Sequence, residues 1–212
     1  MIQNVLCFLE ESAEAYPRKT AFVDEHTSLT YRRLSDLSMR IGSVLGQKTG
    51  PRRPVPVLAE KNVFTLTAFM GIVRAGCFYV FLDAGQPAER LNRILDTLQA
   101  DLMIADKESL SLAGPVSFSG EILPLEDLMS LPDDALNPGL LASIRRQAAD
   151  TDPLYGIFTS GSTGVPKGIV HNHKSLVHSS IRMGQGVELA EDDIYLSSAP
   201  FHFVAIVIDI FM

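Results

Sequence analysis

Apolar and polar positions alternate with two different periods along this chain. Val5, Phe8, Leu9 and Tyr16 share one helical face, which predicts a first helix that Pro17 ends. Thr20 to Val23 reads as a short strand, Asp24-Glu25-His26-Thr27 as a turn and Leu29-Thr30-Tyr31 as the return strand. Leu34, Leu37, Ile41, Val44 and Leu45 then recur at three- and four-residue spacing, a second amphipathic helix closed by Gly50-Pro51. Val55 to Leu58 is a strand, 62–75 an apolar helix closed by Gly76, and Phe78 to Leu82 an aromatic-rich strand. Pro87 opens a helix through Leu91, Ile94, Leu95 and Leu98, and Leu102-Met103-Ile104 is another strand.

Strands and helices alternating at this length predict an α/β fold with a mostly parallel, wound sheet flanked by helices. Residues 107–150 carry prolines at 115, 124, 132 and 138 and predict a peripheral strand, a short helix and a connecting segment. Leu154 to Phe158 resumes the core as a strand. Ile169 to His171 follows as another, with Asn172 as N-cap for a helix over 173–181.

Composition narrows the function classes. The chain has 212 residues, 46% apolar and 20% charged, a globular balance with enough length for a sizeable core. A formal charge of −7 and basic residues that occur mainly as pairs (Arg32-Arg33, Arg52-Arg53, Arg145-Arg146) exclude a phosphate track for nucleic acid. Cys7 and Cys77 form no disulfide framework and no metal spacing, and read as reduced, buried thiols. Glu10, Glu11 and Glu14 rule out a signal peptide, and the longest apolar stretch, Phe203 to Ile208, is too short to span a bilayer. These features predict a cytoplasmic protein without a membrane span.

The chemistry concentrates in residues 159–168, TSGSTGVPKG. Small residues let backbone approach a ligand, and consecutive N–H groups form an anion-binding nest. Thr159, Ser160, Ser162 and Thr163 add hydroxyls and Lys167 a positive charge, an inventory that suits a polyphosphate. A plain flexible glycine-serine loop is the alternative. The apolar strand before it, the stiff Pro166 and the single cation after that proline weigh against it. The loop lacks the Gly-Lys-Ser/Thr of the common nucleotide-binding loop and the GxGxxG of dinucleotide sites.

Tyr155 to Gly168, YGIFTSGSTGVPKG, resembles the phosphate loop of the adenylate-forming superfamily. That superfamily comprises acyl-CoA synthetases, luciferases and the adenylation domains of nonribosomal peptide synthetases. Leu29-Thr30-Tyr31 with Leu34 resembles its LTYxEL segment. Residues 74–83, continuing to Glu89-Arg90-Leu91, resemble its KAGxxYVPLDPxxPxERL segment, with Phe81 and Ala84 where proline is usual.

The resemblance implies that a carboxylic acid attacks ATP to give an acyl-adenylate and pyrophosphate. A thiol of coenzyme A or of a carrier-protein phosphopantetheine then takes the acyl group. By position Thr159, Ser160, Ser162, Thr163 and Lys167 would contact the β- and γ-phosphates, with Gly161 and Gly164 permitting the turn.

His202, in Pro200-Phe201-His202, is similar to a histidine near the family's acyl site; a strand-end histidine with a local hydrogen bond is the other reading. His171, His173 and His178 read as surface or capping residues, and Asp192-Asp193 as a solvated turn. Residues 203–211 are similar to the FDxSxxxxF segment of amino-acid-activating members, where an aspartate pairs with the substrate's α-ammonium. Here that position is Val204, and an unpaired buried ammonium is costly. The expected substrate therefore lacks an α-amino group, with an amino-acid-activating domain as the alternative.

By resemblance the adenine-stacking aromatic, the magnesium ligand, the ribose-binding aspartate and the catalytic lysine follow position 212. Residues 1–212 are thus expected to be part of a large N-terminal domain without the C-terminal one, carrying no confident catalytic residue and little activity alone. A non-catalytic module that self-associates through open sheet edges is the rival.

Overall fold

The computed structural model describes residues 4–159, 166–187, 190, 193–203 and 205–211. The first helix, α1 (Leu6–Ala15), buries Leu6 and Leu9 and ends ahead of Pro17. A small antiparallel hairpin follows, β1 (Thr20–Val23) and β2 (Ser28–Thr30). Its turn is held by Asp24 Oδ1, which accepts from the N–H groups of His26 (2.9 Å) and Thr27 (2.7 Å). The next helix, α2 (Tyr31–Lys48), starts one residue after β2 ends. Thr30 is its N-cap, the hydroxyl accepting from the Arg33 N–H at 3.3 Å. Tyr31, expected in the strand, is therefore the first residue of the helix.

The main sheet has six strands: β3 (Pro54–Leu58), β4 (Phe78–Leu82), β5 (Leu102–Ala105), β6 (Glu121–Pro124), β7 (Pro153–Thr159) and β8 (Lys167–Asn172). Their order is β6-β5-β3-β4-β7-β8, parallel throughout except that β8 runs antiparallel to β7. The expected α/β architecture, mostly parallel and flanked by helices, is observed. Alternation along the strands feeds two cores. On β4, Phe78, Val80 and Leu82 join the core under α4 (Ala88–Leu98) and α5 (Lys107–Leu112). Tyr79 points to the larger core, shared with α1, α2 and α3 (Val63–Arg74). Strands covered on both faces are apolar on both faces. After α3 the chain reverses at Gly76, whose φ of +72° a Cβ would strain, as expected of a helix terminator.

Residues 107–150 hold more helix than their composition predicts: α5, α6 (Leu125–Met129), a 3-10 turn at Asp133–Ala135, and α7 (Pro138–Gln147). Caps account for this. Asp106 Oδ1 accepts from the Ser109 N–H at 2.6 Å, and Asn137 Oδ1 from the Leu140 N–H at 3.0 Å. Three of the four prolines mark starts rather than breaks: Pro124 before α6, Pro132 before the 3-10 turn and Pro138 at the head of α7. The last helices, α8 (His173–Val187) and α9 (Ala205–Phe211), add Leu176, Val177, Val207, Ile210 and Phe211 to the larger core. Asn172 caps α8 as expected, accepting from the Ser175 N–H at 2.9 Å.

Candidate active site

The chain leaves the sheet at Thr159, the last residue of β7, and re-enters at Lys167, the first of β8. These two residues face each other in the antiparallel register, and the Thr159 hydroxyl donates to the Lys167 carbonyl at 3.4 Å. This neck stands at the carboxyl end of the parallel strands, where open α/β sheets bind ligands. Both side chains at the neck are exposed. The Lys167 ammonium has no carboxylate partner among the described residues. Ser160, Gly161, Ser162, Thr163 and Gly164 lie outside the described residues.

The neck depends on glycine for packing. A Cβ on Gly168 would meet the Phe158 ring at 3.0–3.4 Å, so glycine lets that ring lie across β8. From α4, Arg90 donates through Nη2 to the Phe158 carbonyl (3.4 Å) and through Nε to Gln86 Oε1 (2.8 Å). A second cation is thereby fastened beside the neck.

His202 comes to the same edge by a separate route. Lys61, just after β3, donates through Nζ to the carbonyls of Ser197 and Ala199, both at 2.7 Å. Its ammonium lies 5.5 Å from the centre of the Phe201 ring, a cation–π contact. Phe201 is buried, edge-on to Phe81 at 5.4 Å and tilted against Phe69 at 5.3 Å. So anchored, the segment sets His202 Nδ1 3.4 Å from Asp83 Oδ2. That contact does not meet hydrogen-bond geometry, and Nδ1 is buried without a hydrogen-bond partner among the described residues.

Asp83 holds its own turn through Oδ1, which accepts from the Gly85 N–H at 2.9 Å. His202 sits in a turn before α9 rather than at a strand end, and it makes no local hydrogen bond through Nδ1. A cleft of about 20 Å³, room for one water, lies between Tyr79, Phe81, Phe158, Phe201 and His202. His202 and the root of the neck thus share one wall. Val204 lies outside the described residues.

Behind the cleft a row of rings crosses the sheet. Phe69 stacks on Tyr79 at 4.1 Å, Tyr79 lies 6.0 Å from Tyr155, and Tyr155 stacks on His171 at 4.7 Å. Burial raises the Tyr155 phenol to about 12, and burial holds Tyr79 well above its usual value. Neither phenol is a base at neutral pH. The charged groups near this edge include, among the described residues, Lys61, Asp83, Arg90, Lys167 and Asp209; Lys61 and Arg90 are held by carbonyl oxygens, which leaves Lys167 as a cation open to an anion. Among the described residues, no three His, Cys, Asp or Glu side chains could hold a metal ion.

Two expectations from the sequence need correction. His173 is not a surface residue but 4% exposed, and its Nδ1 accepts from the Val5 N–H at 3.5 Å. Burial, and then Arg145, push its pKa down to about 4. It lies at the amino end of the sheet, away from the neck, while His178 is exposed as expected. Cys77 is buried, but Cys7 is only partly so and accepts from Arg145 Nη2 at 3.0 Å. Lys61, Asp83 and Arg90 were not singled out by the sequence. Asp83 and Arg90 stand inside a family-like segment, which is the one signal that marks them.

With this geometry in hand, the chain can be compared with known proteins. The profile of the family described as AMP-binding enzyme matches residues 9–212. Surfactin synthase subunit 1 of Bacillus subtilis (strain 168) is 36% identical over 212 residues, a match covering 95% of this chain and 5% of that protein. Tyrocidine synthase 1 of Brevibacillus parabrevis is 29% identical over 204 residues, covering 96% of this chain and 18% of that protein. The chain therefore spans only a small part of these relatives. Among solved structures, the nonribosomal peptide synthetase FmoA3 in an AMPPNP-bound form superposes with a TM-score of 0.85 at 25% identity, covering 98% of this chain and 21% of that one. A fatty acyl-adenylate ligase from L. pneumophila, in complex with acyl adenylate and pyrophosphate, gives 0.82 at 20% identity, over 100% of this chain and 38% of the other. The latter is a likeness of fold alone.

Proposed function

The chain belongs to the AMP-binding enzyme family, and from that premise we propose that it serves the ATP-dependent activation of a carboxylic acid. The carboxylate oxygen attacks the α-phosphorus of ATP, the bond to the β-phosphate oxygen breaks, and acyl-adenylate and pyrophosphate form. A thiolate of coenzyme A or of a carrier-protein phosphopantetheine then attacks the acyl carbon and AMP leaves.

The carrying observation is the Thr159–Lys167 neck at the carboxyl end of β7, two exposed residues paired across the antiparallel strands. Lys167 and the Thr159 hydroxyl bind the β- and γ-phosphates. There they stabilise charge as it develops on the leaving pyrophosphate. Ser160, Gly161, Ser162, Thr163 and Gly164 complete the cradle in this reading. Arg90 keeps the strand end in place through the Phe158 carbonyl. Magnesium accompanies the nucleotide, and we assign it no protein ligand. The two free thiols support a reducing, cytoplasmic setting, and no helix among the described residues is long and apolar enough to cross a membrane.

For the acid, Val204 favours a fatty, aryl, hydroxy or keto acid, because valine cannot pair with an α-ammonium. His202 borders the acyl group. Activation of an amino acid is the second reading, favoured by the peptide-synthase names of the relatives at 36% and 29% identity. Acid-dependent exchange of labelled pyrophosphate into ATP, run on the protein in its natural full chain, separates them. The strongest exchange is expected with an acid lacking an α-amino group. A best signal with an ordinary α-amino acid would overturn that assignment, and no exchange with any acid would overturn the reaction.

A further inference from the structure

The wall of the cleft that carries His202 is built from a segment with little to hold it. Residues 193–203 form no helix or strand, and Phe201 is the one buried residue among them, with Ile194 93% and Leu196 86% exposed. Apolar burial therefore fixes this stretch at one point, and its remaining ties are polar. Ser197 Oγ donates to Asp209 Oδ2 in α9 at 3.0 Å, and the Phe203 N–H to the Pro200 carbonyl at 3.0 Å. The shortest ties, both at 2.7 Å, are made by Lys61 to the carbonyls of Ser197 and Ala199.

Lys61 gives such a hold a rigid base. Its loop, residues 59–62 between β3 and α3, is fastened on both sides. The Glu60 N–H donates to Asp106 Oδ2 at 2.7 Å and the Thr65 hydroxyl to the Glu60 carbonyl at 2.7 Å. The Thr65 N–H donates to Asn62 Oδ1 at 2.9 Å and the Val63 N–H to Asp24 Oδ2 at 2.8 Å. From that base the ammonium reaches two carbonyls just ahead of Phe201 and His202. Hydrogen bonds from a charged donor are the stronger kind, and an ammonium carries three donors on one atom, so one side chain can pin both carbonyls. The cation–π contact at 5.5 Å ties the Phe201 ring to the same anchor, and Asp209 attracts the ammonium to this corner.

We propose that Lys61 is a positioning residue for the acid. By holding the Ser197 and Ala199 carbonyls it sets where Phe201 and His202 stand across the cleft from Phe158, and so the room and orientation given to the acyl group. Lys61 acts through the main chain of 197–202 rather than by contact with the acid. The proposal rests on the reading of His202 as a neighbour of the acyl group.

Lys61→Met keeps the stem and removes the donors and the charge. In the natural full chain, exchange of labelled pyrophosphate should then show a KM for the acid raised roughly tenfold, because a displaced wall orients the acid poorly, while the KM for ATP stays within about twofold. In the 212-residue chain the ring signals of His202 and the amide of Phe203 should shift, with the amides of Thr159 and Lys167 unmoved. Lys61→Gln, which retains a donor without the charge, should give the same changes at smaller size, and it keeps the test decisive if Lys61→Met does not fold. His202→Ala should also raise the KM for the acid. If it does not, while Lys61→Met still shifts the His202 signals, the acid does not lie beside His202 and the proposal falls with that reading. An unchanged KM for the acid in Lys61→Met, an equal rise for ATP and acid, or unmoved His202 signals would each overturn positioning by Lys61 itself.

Discussion

The two ends of the central sheet handle polar groups in opposite ways. At the carboxyl end, Thr159 and Lys167 face water, and the chain between them is nearly all small residues. At the amino end Arg74 is buried, its side chain 9% exposed, and Glu10, Ser35 and Ser38 receive its donors. His173 is buried there as well, and Arg52 and Arg53 are tied to Asp152 and Asp101. A buried charge must bring its partners with it, so the amino end contributes stability that depends on every member. In the proposed reading the donors at the carboxyl end await a ligand and stay hydrated until it arrives, so that end should add little to stability.

That contrast orders the expected effects. Arg74→Ala should cost most, about 3–5 kcal/mol, because the buried Ser35 and Ser38 hydroxyls each lose a hydrogen bond from a charged donor. Urea denaturation reads this directly, and a loss under about 1 kcal/mol would erase the difference between the two ends. His173 comes next. Its folded pKa of about 4 lies below the ordinary 6.5, so the unfolded chain binds more protons between those values. Stability should therefore rise with pH across that window by about 3 kcal/mol and level off above it. Denaturation midpoints against pH test the slope, which His173→Gln should flatten.

At the carboxyl end the direction reverses, and binding changes while stability does not. Lys167→Ala should weaken pyrophosphate binding roughly tenfold or more by calorimetry, since hydrogen bonds to charged groups contribute about 1.5–3 kcal/mol. The same change should leave stability within about 0.5 kcal/mol. The smallest effect belongs to Tyr79, whose hydroxyl is buried without a partner among the described residues. Tyr79→Phe should be neutral or stabilising by up to about 1 kcal/mol, and a clear loss of melting temperature would mean the hydroxyl has an acceptor.

The parts legible in the sequence were those with a strong period or a dense motif. β4 and the helices on either side of it announce themselves through alternating apolar residues, and Gly76 and Pro87 punctuate them. The loop announced itself through composition, and its two ends stand where the register of β7 and β8 requires. The region 107–150 was harder to read because α7 buries no residue completely and starts from a cap, so periodicity had little to report. His173 was misjudged because what buries it is remote: its hydrogen-bond partner Val5 is 168 positions away. Lys61, Asp83 and Arg90 act through contacts across the fold, and no local pattern encodes such contacts.

The central claim is that residues 159–168 cradle the β- and γ-phosphates of ATP. Titrating ATP, pyrophosphate and AMP into the chain, with amide shifts as the readout, tests it most directly. The account predicts that ATP and pyrophosphate shift Thr159, Lys167 and Gly168, that AMP does not, and that Lys167→Ala removes the response. AMP shifting those amides as strongly as ATP, or all three ligands leaving them unmoved, would contradict it.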